Sequence, residues 1–157
     1  MNHEFFMKIA IEQARLAALM DEVPVGAVLV SAEGDVIAKD HNRTISLSDP
    51  SAHAEMMVLR KAAANIQNYR LLNTTLYVSV EPCVMCAGAV LHARVGTVVF
   101  GAPDPKWGGF GSIYDFSEDK RFNHRLTVVS GILGEESKAL IQGFFRNKRG
   151  NSTLQTR

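Results

Sequence analysis

Apolar residues recur at helical spacing from the first turns of the chain. Phe6, Ile9, Ala10, Ala14, Ala17 and Met20 share one face of a helix predicted over His3 to Met20, and Pro24 stops it. Val25–Val30 follows as a short apolar run. Glu33-Gly34-Asp35 and the apolar Val36-Ile37-Ala38 come next, which reads as a β-hairpin with an acidic, glycine-containing turn. The polar stretch from Asp40 to Pro50 reads as loop. A second helix is predicted from about His53 to Asn65, with Met56, Met57, Leu59 and Ala63 on its apolar positions. The second half alternates more regularly. Leu76–Val80 is a strand, Cys83 to about Ala93 a helix opened by Pro82, and Val95–Phe100 another strand. A glycine-rich loop spans Gly101 to Ser112, Leu126–Val129 is the last strand, and Glu135 to about Lys148 the closing helix. That helix carries acids first and bases last, the order its dipole favours.

Strand–helix–strand alternation at these lengths implies right-handed crossovers and parallel pairing in the second half, whereas the first hairpin must be antiparallel. The expected fold class is α/β: a mixed sheet of about five strands, with helices on both faces. No repeat and no low-complexity tract interrupts this reading. The 157 residues, 46% hydrophobic and 21% charged, suit one domain over 1–157 and fit neither a disordered nor a fibrous chain. Glu4 and Glu12 interrupt the first segment, leaving no signal-peptide core, and no apolar run approaches a membrane span. A cytoplasmic location and no membrane partner are expected. The net charge of +1 excludes a uniformly basic nucleic-acid wrapper, but it conceals a distribution. From Phe144 onward Arg146, Lys148, Arg149 and Arg157 meet no acid, and the rest of the chain has 13 bases against 16 acids. Phe144, Phe145 and Arg146 therefore form a candidate stacking-and-phosphate patch on a basic C-terminal helix and tail at about 135–157. An amphipathic helix that buries its phenylalanines would leave the same trace.

Three groups carry candidate chemistry: His53-Ala54-Glu55, the pair Cys83 and Cys86, and Glu81 just before Pro82. Two cysteines three positions apart at a helix start share a face, and the free N–H groups there stabilise thiolate. Such a pair binds a soft or borderline metal or forms a redox disulfide, and the spacing alone divides evenly between a metal site and a thioredoxin-like dithiol. The chain has no third cysteine, so a closed structural zinc site is out of reach. One histidine brings the ligand count to three and leaves a position for water, the catalytic type of zinc site. Glu55 would then be a proton carrier, provided His53 lies near the helix start, because positions i and i+2 diverge in mid-helix.

The joint pattern H-x-E with P-C-x-x-C is the signature of zinc nucleobase deaminases. Beyond it, the chain resembles the bacterial tRNA-specific adenosine deaminase family of the cytidine-deaminase-like superfamily through most of its length. The resemblance runs through Glu22-Val23-Pro24-Val25-Gly26-Ala27, Asn42-Arg43, Asp49-Pro50 and Glu81 to Gly88. It continues in Val99-Phe100-Gly101-Ala102, Asp104, Gly111-Ser112, Asn123-His124-Arg125 and Phe144-Phe145-Arg146. It implies a three-layer α/β/α cytidine-deaminase-like fold and one Zn²⁺ per subunit held by His53, Cys83 and Cys86. The reaction it implies is hydrolytic: activated water attacks C6 of adenine, Glu55 shuttles the proton, and ammonia leaves inosine behind.

The implied substrate is the wobble adenosine of a tRNA anticodon stem-loop. Asn42 would contact the flipped nucleoside, the Ala54 backbone the base edge, and Asp104 and Lys106 the RNA. Phe144, Phe145 and Arg146 would add to that interface. A homodimer is expected, and no DNA. Two departures from the family pattern stand out: His41 where an aromatic is usual, and bulky Trp107 and Phe110 where small residues are common. His3, His92 and His124 read as surface or hydrogen-bonded side chains, and Met56 and Met57 as core fillers. Two other functions stay in view. A zinc deaminase of a free base or nucleoside (guanine, cytosine or cytidine) would keep the site, and a dithiol oxidoreductase would need neither His53 nor Glu55.

Overall fold

The chain runs α1 (His3–Leu19), β1 (Gly26–Val30), β2 (Val36–His41), α2 (Ala54–Ile66), β3 (Thr75–Val80), α3 (Val84–His92), β4 (Thr97–Ala102), β5 (Thr127–Val129) and α4 (Gly134–Ser152). The structure, a computed structural model, describes residues 1–152, the last two by backbone alone. Arg157 and the rest of the expected basic tail lie outside the described residues. The five strands form one sheet in the order β2-β1-β3-β4-β5. β1 pairs antiparallel with β2 and with β3, and β4 pairs parallel with β3 and with β5. The mixed sheet expected from the alternation is thus present, with the hairpin as its antiparallel half.

Side chains alternate across the sheet with the period of two that a pleated strand imposes. Ala27 and Leu29 of β1, Leu76 and Val78 of β3, and Val98 and Phe100 of β4 face α2 and α3. There they pack on Val58, Leu59, Ala62, Ala87 and Val90. Val28, Val30, Tyr77 and Val99 point the other way, against Phe6, Met7, Ala10 and Ile11 of α1 and Leu140 of α4. Two apolar faces on one sheet make the three-layer α/β/α arrangement. The inward stripe of α1 includes Met7 and Ile11, while Ile9 is half-buried and Met20 lies past the helix end. On α2 the inward positions are Val58, Leu59 and Ala62, so Met56 and Met57 are only half-buried.

Two element ends differ from the pattern-based expectation. β2 continues through Asp40 and His41, which the polarity of the segment assigned to loop. Asp40 is buried but compensated: it accepts the His41 N–H at 2.8 Å and Arg43 Nε at 2.9 Å, and it pairs with Lys61 Nζ of α2 at 2.7 Å. β4 likewise continues through Gly101. A Cβ there would lie 2.6 Å from the Ser79 carbonyl oxygen and 2.7 Å from Ser137 Oγ, so the strand carries a glycine where β3 and the start of α4 press against it. Among the described residues no helix is long and apolar enough to cross a membrane.

Two buried glutamates fix the loops that leave the strand ends. Glu22 accepts the Ile45 N–H at 3.1 Å and the Ser46 N–H at 2.7 Å, pinning the segment after β2. Glu81 accepts the N–H groups of Asp104 (3.1 Å), Phe110 (3.0 Å) and Ser112 (3.1 Å), and the Ser112 hydroxyl, pinning the segment after β4. Gly108 packs directly on the Glu81 carboxylate, which would lie 2.2 Å from a Cβ at that position. Burial pushes the Glu22 carboxyl up, but the hydrogen bonds from Ser46, Ile45 and Thr44 outweigh it and hold the group below its ordinary value.

Glu81→Gln places an amide NH₂ against groups that are themselves donors. It should cost roughly 3 kcal/mol in urea unfolding and speed hydrogen exchange at the amides of Asp104, Phe110 and Ser112. Asp40 gives a pH-dependent test. Burial raises its carboxyl, but Lys61, the His41 N–H and Arg43 hold it below the ordinary 3.8. A depressed carboxyl stabilises the fold above its unfolded value and loses that contribution as pH falls through the folded one. Asp40→Asn should therefore unfold at lower urea than the unsubstituted chain near neutral pH, with the gap closing below about 3.8.

Candidate metal centre

Two helices begin at one place. His53 is the N-cap of α2 and Cys83 the N-cap of α3, both with extended backbone, and neither side chain caps its own helix. N-cap positions usually hold a short polar side chain that satisfies the first free N–H groups. The neighbouring loops take the first N–H of each helix. The Ala54 N–H donates to Asn42 Oδ1 at 2.8 Å, and the Val84 N–H donates to the Trp107 carbonyl at 3.1 Å. The His53 and Cys83 side chains turn toward each other.

His53 Nδ1 lies 3.5 Å from Cys83 Sγ and 3.5 Å from Cys86 Sγ. The three donor atoms all fall within 4.8 Å of one another. Tetrahedral zinc with ordinary Zn–N and Zn–S bond lengths separates a nitrogen and a sulfur ligand by about 3.6 Å. The donor set and its spacing therefore fit zinc, and among the described residues this is the group of His, Cys, Asp or Glu able to hold a metal ion. Because His53 is extended rather than helical, the i, i+2 spacing to Glu55 no longer separates the two. Glu55 occupies the first turn of α2, is buried, and lines the same cavity as His53 and Cys83.

The electrostatics follow from burial and from the hydrogen bonds among these groups. Burial pushes the Glu55 carboxyl up to about 7, against the lowering pull of its own backbone N–H and His53. The hydrogen bond from Cys86 draws Cys83 down to about 4, assisted by His53. Cys86 is pushed up by that same bond and by burial. Cys83 in turn raises His53. A position beside a helix N-terminus favours the thiolate form that a metal ligand needs.

Above the trio opens a cavity of about 740 Å³. It is lined by Asn42 and Thr44 after β2, by Asp104, Lys106 and Trp107 after β4, and by Ile141 and Phe145 of α4. His41 Nδ1 bonds the Asn42 carbonyl at 2.8 Å, which helps hold Asn42 in place. The structure thus brings together His53, Glu55, Cys83, Asn42, Asp104, Lys106 and Phe145 at this cavity, with Cys86 buried 3.5 Å from His53 Nδ1. Ala54 is buried beside it, and its N–H is already taken by Asn42.

Phe144 and Arg146 do not line this cavity. Successive residues on a helix point about 100° apart. Phe144 accordingly faces a separate groove of about 460 Å³ with Ala18, Asp21 and Lys148. Lys148 pairs there with Asp21 at 2.6 Å, and Arg146 is exposed. Phe110 is core, 4% exposed, whereas Trp107 is 63% exposed. His92 is exposed, His3 bonds the Tyr77 hydroxyl, and His124 bonds the Val95 carbonyl, so none of them approaches the trio. Sequence reasoning missed Thr44 and Ile141 altogether. It singled out Glu81 beside Pro82 and quoted Glu22 within the Glu22-to-Ala27 stretch, but it gave neither its role as a loop anchor.

Residues 1–102 match the family model of the cytidine and deoxycytidylate deaminase zinc-binding region. The chain is 49% identical over 152 residues to a tRNA-specific adenosine deaminase of Haemophilus influenzae, covering 97% of this chain and 88% of that protein. It is 47% identical over 146 residues to one of Bacillus subtilis, covering 93% and 90%. Among solved structures it resembles a tRNA:A34 deaminase from work on A-to-I editing at the wobble position. The TM-score there is 0.83 and the identity 43%, covering 87% of this chain and 98% of the other. A guanine deaminase from Nitrosomonas europaea shares the fold at a TM-score of 0.76 and 27% identity, covering 90% and 83%. The converging helix starts, the zinc-compatible trio and these relationships agree, and the chain belongs, with the tRNA-specific adenosine deaminases, to the cytidine and deoxycytidylate deaminase zinc-binding family.

Proposed function

We propose that this protein hydrolyses the wobble adenosine of a tRNA anticodon loop to inosine, releasing ammonia. The observation that carries the proposal is the His53, Cys83 and Cys86 trio with buried Glu55 beside it, at the base of an open cavity. The near-full-length relatives favour an adenosine carried on tRNA over a free base. When held by His53, Cys83 and Cys86, zinc supplies Lewis acidity that makes water nucleophilic near neutral pH.

The chain's own groups account for the remaining steps. Glu55 accepts one proton of the attacking water and passes it to an adenine ring nitrogen as C6 is attacked, then takes the second proton from the new C6 hydroxyl and delivers it to the departing amine as the C6–N bond breaks. Carbon, nitrogen and proton balance: adenosine and water give inosine and ammonia. Asn42 has its Oδ1 fixed by the Ala54 N–H, which leaves its NH₂ as the donor for the nucleoside. Asp104, Lys106 and Phe145 line the approach to the cavity, and exposed Arg146 adds positive charge from α4 for the phosphates. A base in a single-stranded loop is already unpaired, so drawing it into the cavity costs little. A homodimer working in the cytoplasm, acting on tRNA and not DNA, completes the proposal.

Glu55→Ala should keep zinc and the fold but lose turnover by several orders of magnitude, measured as inosine formation beside metal content and the thermal melt. Retained turnover would remove Glu55 from the mechanism. Incubation with unmodified tRNA, free adenosine, cytidine and guanine should yield inosine only in the tRNA. Turnover of a free base alone would establish the free-base alternative instead.

A further inference from the structure

Trp107 stands apart from the other aromatic residues of the segment 103–126. Phe110 is buried in the core, and Phe116 makes ring contacts with Tyr114 at 6.0 Å and Phe122 at 5.6 Å. Trp107 is 63% exposed and lines the cavity above the trio. Among the described residues its indole has no ring contact, no cation–π partner and no hydrogen bond. Its backbone, by contrast, is tightly held. The Trp107 N–H donates to Asp104 Oδ1 at 3.2 Å, and its carbonyl accepts the Val84 N–H at 3.1 Å. The next two residues are fixed as well: the Gly108 N–H donates to the Asp104 carbonyl at 2.9 Å and the Gly109 N–H to the Pro82 carbonyl at 2.9 Å. Glu81 anchors both ends of this turn through Asp104 and Phe110.

A rigid backbone that presents an unpartnered indole at a cavity rim is a stacking platform. Every base has a π-face, and aromatic–base stacking is strong and tolerant of sequence. When one base of a loop is drawn into a pocket, its neighbour loses a stacking partner and exposes that face. Lys106, adjacent in the chain and lining the same cavity, puts a cation within reach of the connecting phosphate.

We infer that Trp107 is a specificity-determining residue whose indole stacks on a base next to the one that enters the cavity. The inference rests on the proposed RNA substrate. It adds a contact to a neighbouring nucleotide that the reaction itself does not require. The indole contributes equally before and during the chemical step, so its loss should appear in KM and not in kcat.

The test uses the full-length, zinc-loaded protein and an anticodon stem-loop with adenosine at the wobble position. Trp107→Ala should raise KM about tenfold while leaving kcat within about twofold, and Trp107→Phe should recover most of the difference. Stem-loops made abasic at each neighbour of the target in turn then locate the contact. At one neighbour, the abasic change and Trp107→Ala together should cost no more than either alone. Unchanged KM in Trp107→Ala, or additive losses at both neighbours, overturns the inference and leaves the proposed reaction standing. A shift in sedimentation of Trp107→Ala assigns the indole to a contact between subunits and also overturns it. Failure of the unsubstituted protein to act on the stem-loop rejects the RNA substrate, and the stacking inference with it.

Discussion

Everything at the site depends on how the first N–H groups of α2 and α3 are satisfied. A helix start leaves donors that must be met, and a buried one cannot leave them to water. In most helices the N-cap side chain meets that demand, which fixes its direction along the helix. Here Asn42 and the Trp107 carbonyl bind the first N–H of each helix from outside, and the two N-cap positions carry His53 and Cys83. Those side chains then converge to 3.5 Å, at the spacing tetrahedral zinc requires. The sheet supplies the framework for this convergence. α2 and α3 lie on one face of it, so their N-termini come to the same edge of the molecule. The same free N–H groups favour negative charge, which suits a thiolate and a carboxylate at that edge.

The capping groups belong to loops, and loops are ordinarily the least fixed part of a domain. Glu22 and Glu81 answer that problem. Each is buried, and each spends its carboxylate oxygens on main-chain N–H groups of a segment leaving the sheet. Through Glu22 the segment after β2 is held beside the cavity wall that carries Asn42 and Thr44. Through Glu81 the segment after β4 is held, with the lining residues Asp104, Lys106 and Trp107. The trio, its helix caps and the cavity walls are therefore one connected hydrogen-bonded unit. A large aromatic at the rim of such a unit stays where the backbone puts it, which is why the exposure of Trp107 carries more meaning than that of a side chain on a free loop.

The 144–149 segment shows how composition misleads when geometry is missing. Its two phenylalanines and its bases are adjacent in sequence, but on a helix adjacent residues diverge. Phe145 reaches the cavity while Phe144 lies against α1, and Lys148 is committed to Asp21. Among the described residues of 144–149 no base lines the cavity, whereas Lys106 does.

The sequence by itself determined the elements, the alternation that makes the sheet mixed, and the identity of the zinc-compatible residues. These are legible because strand and helix periods are local, and because the H-x-E and P-C-x-x-C spacings record the helix starts on which the site is built. Asp40 in β2 and Gly101 in β4 read as loop from local polarity and glycine content, and it is sheet pairing, with compensation of Asp40 by Lys61 and close packing of Gly101 on the start of α4, that holds them in strands. The same limit hid the loop-anchoring roles of Glu22 and Glu81. A glutamate that binds distant main-chain N–H groups has no periodicity and no partner nearby in sequence. Whether His53 and Glu55 share one site, which of Phe144 and Phe145 faces the cavity, and which of Trp107 and Phe110 is core were decided only by the tertiary structure. Each depends on a direction in space, and spacing along a chain fixes direction only within a single helix or strand.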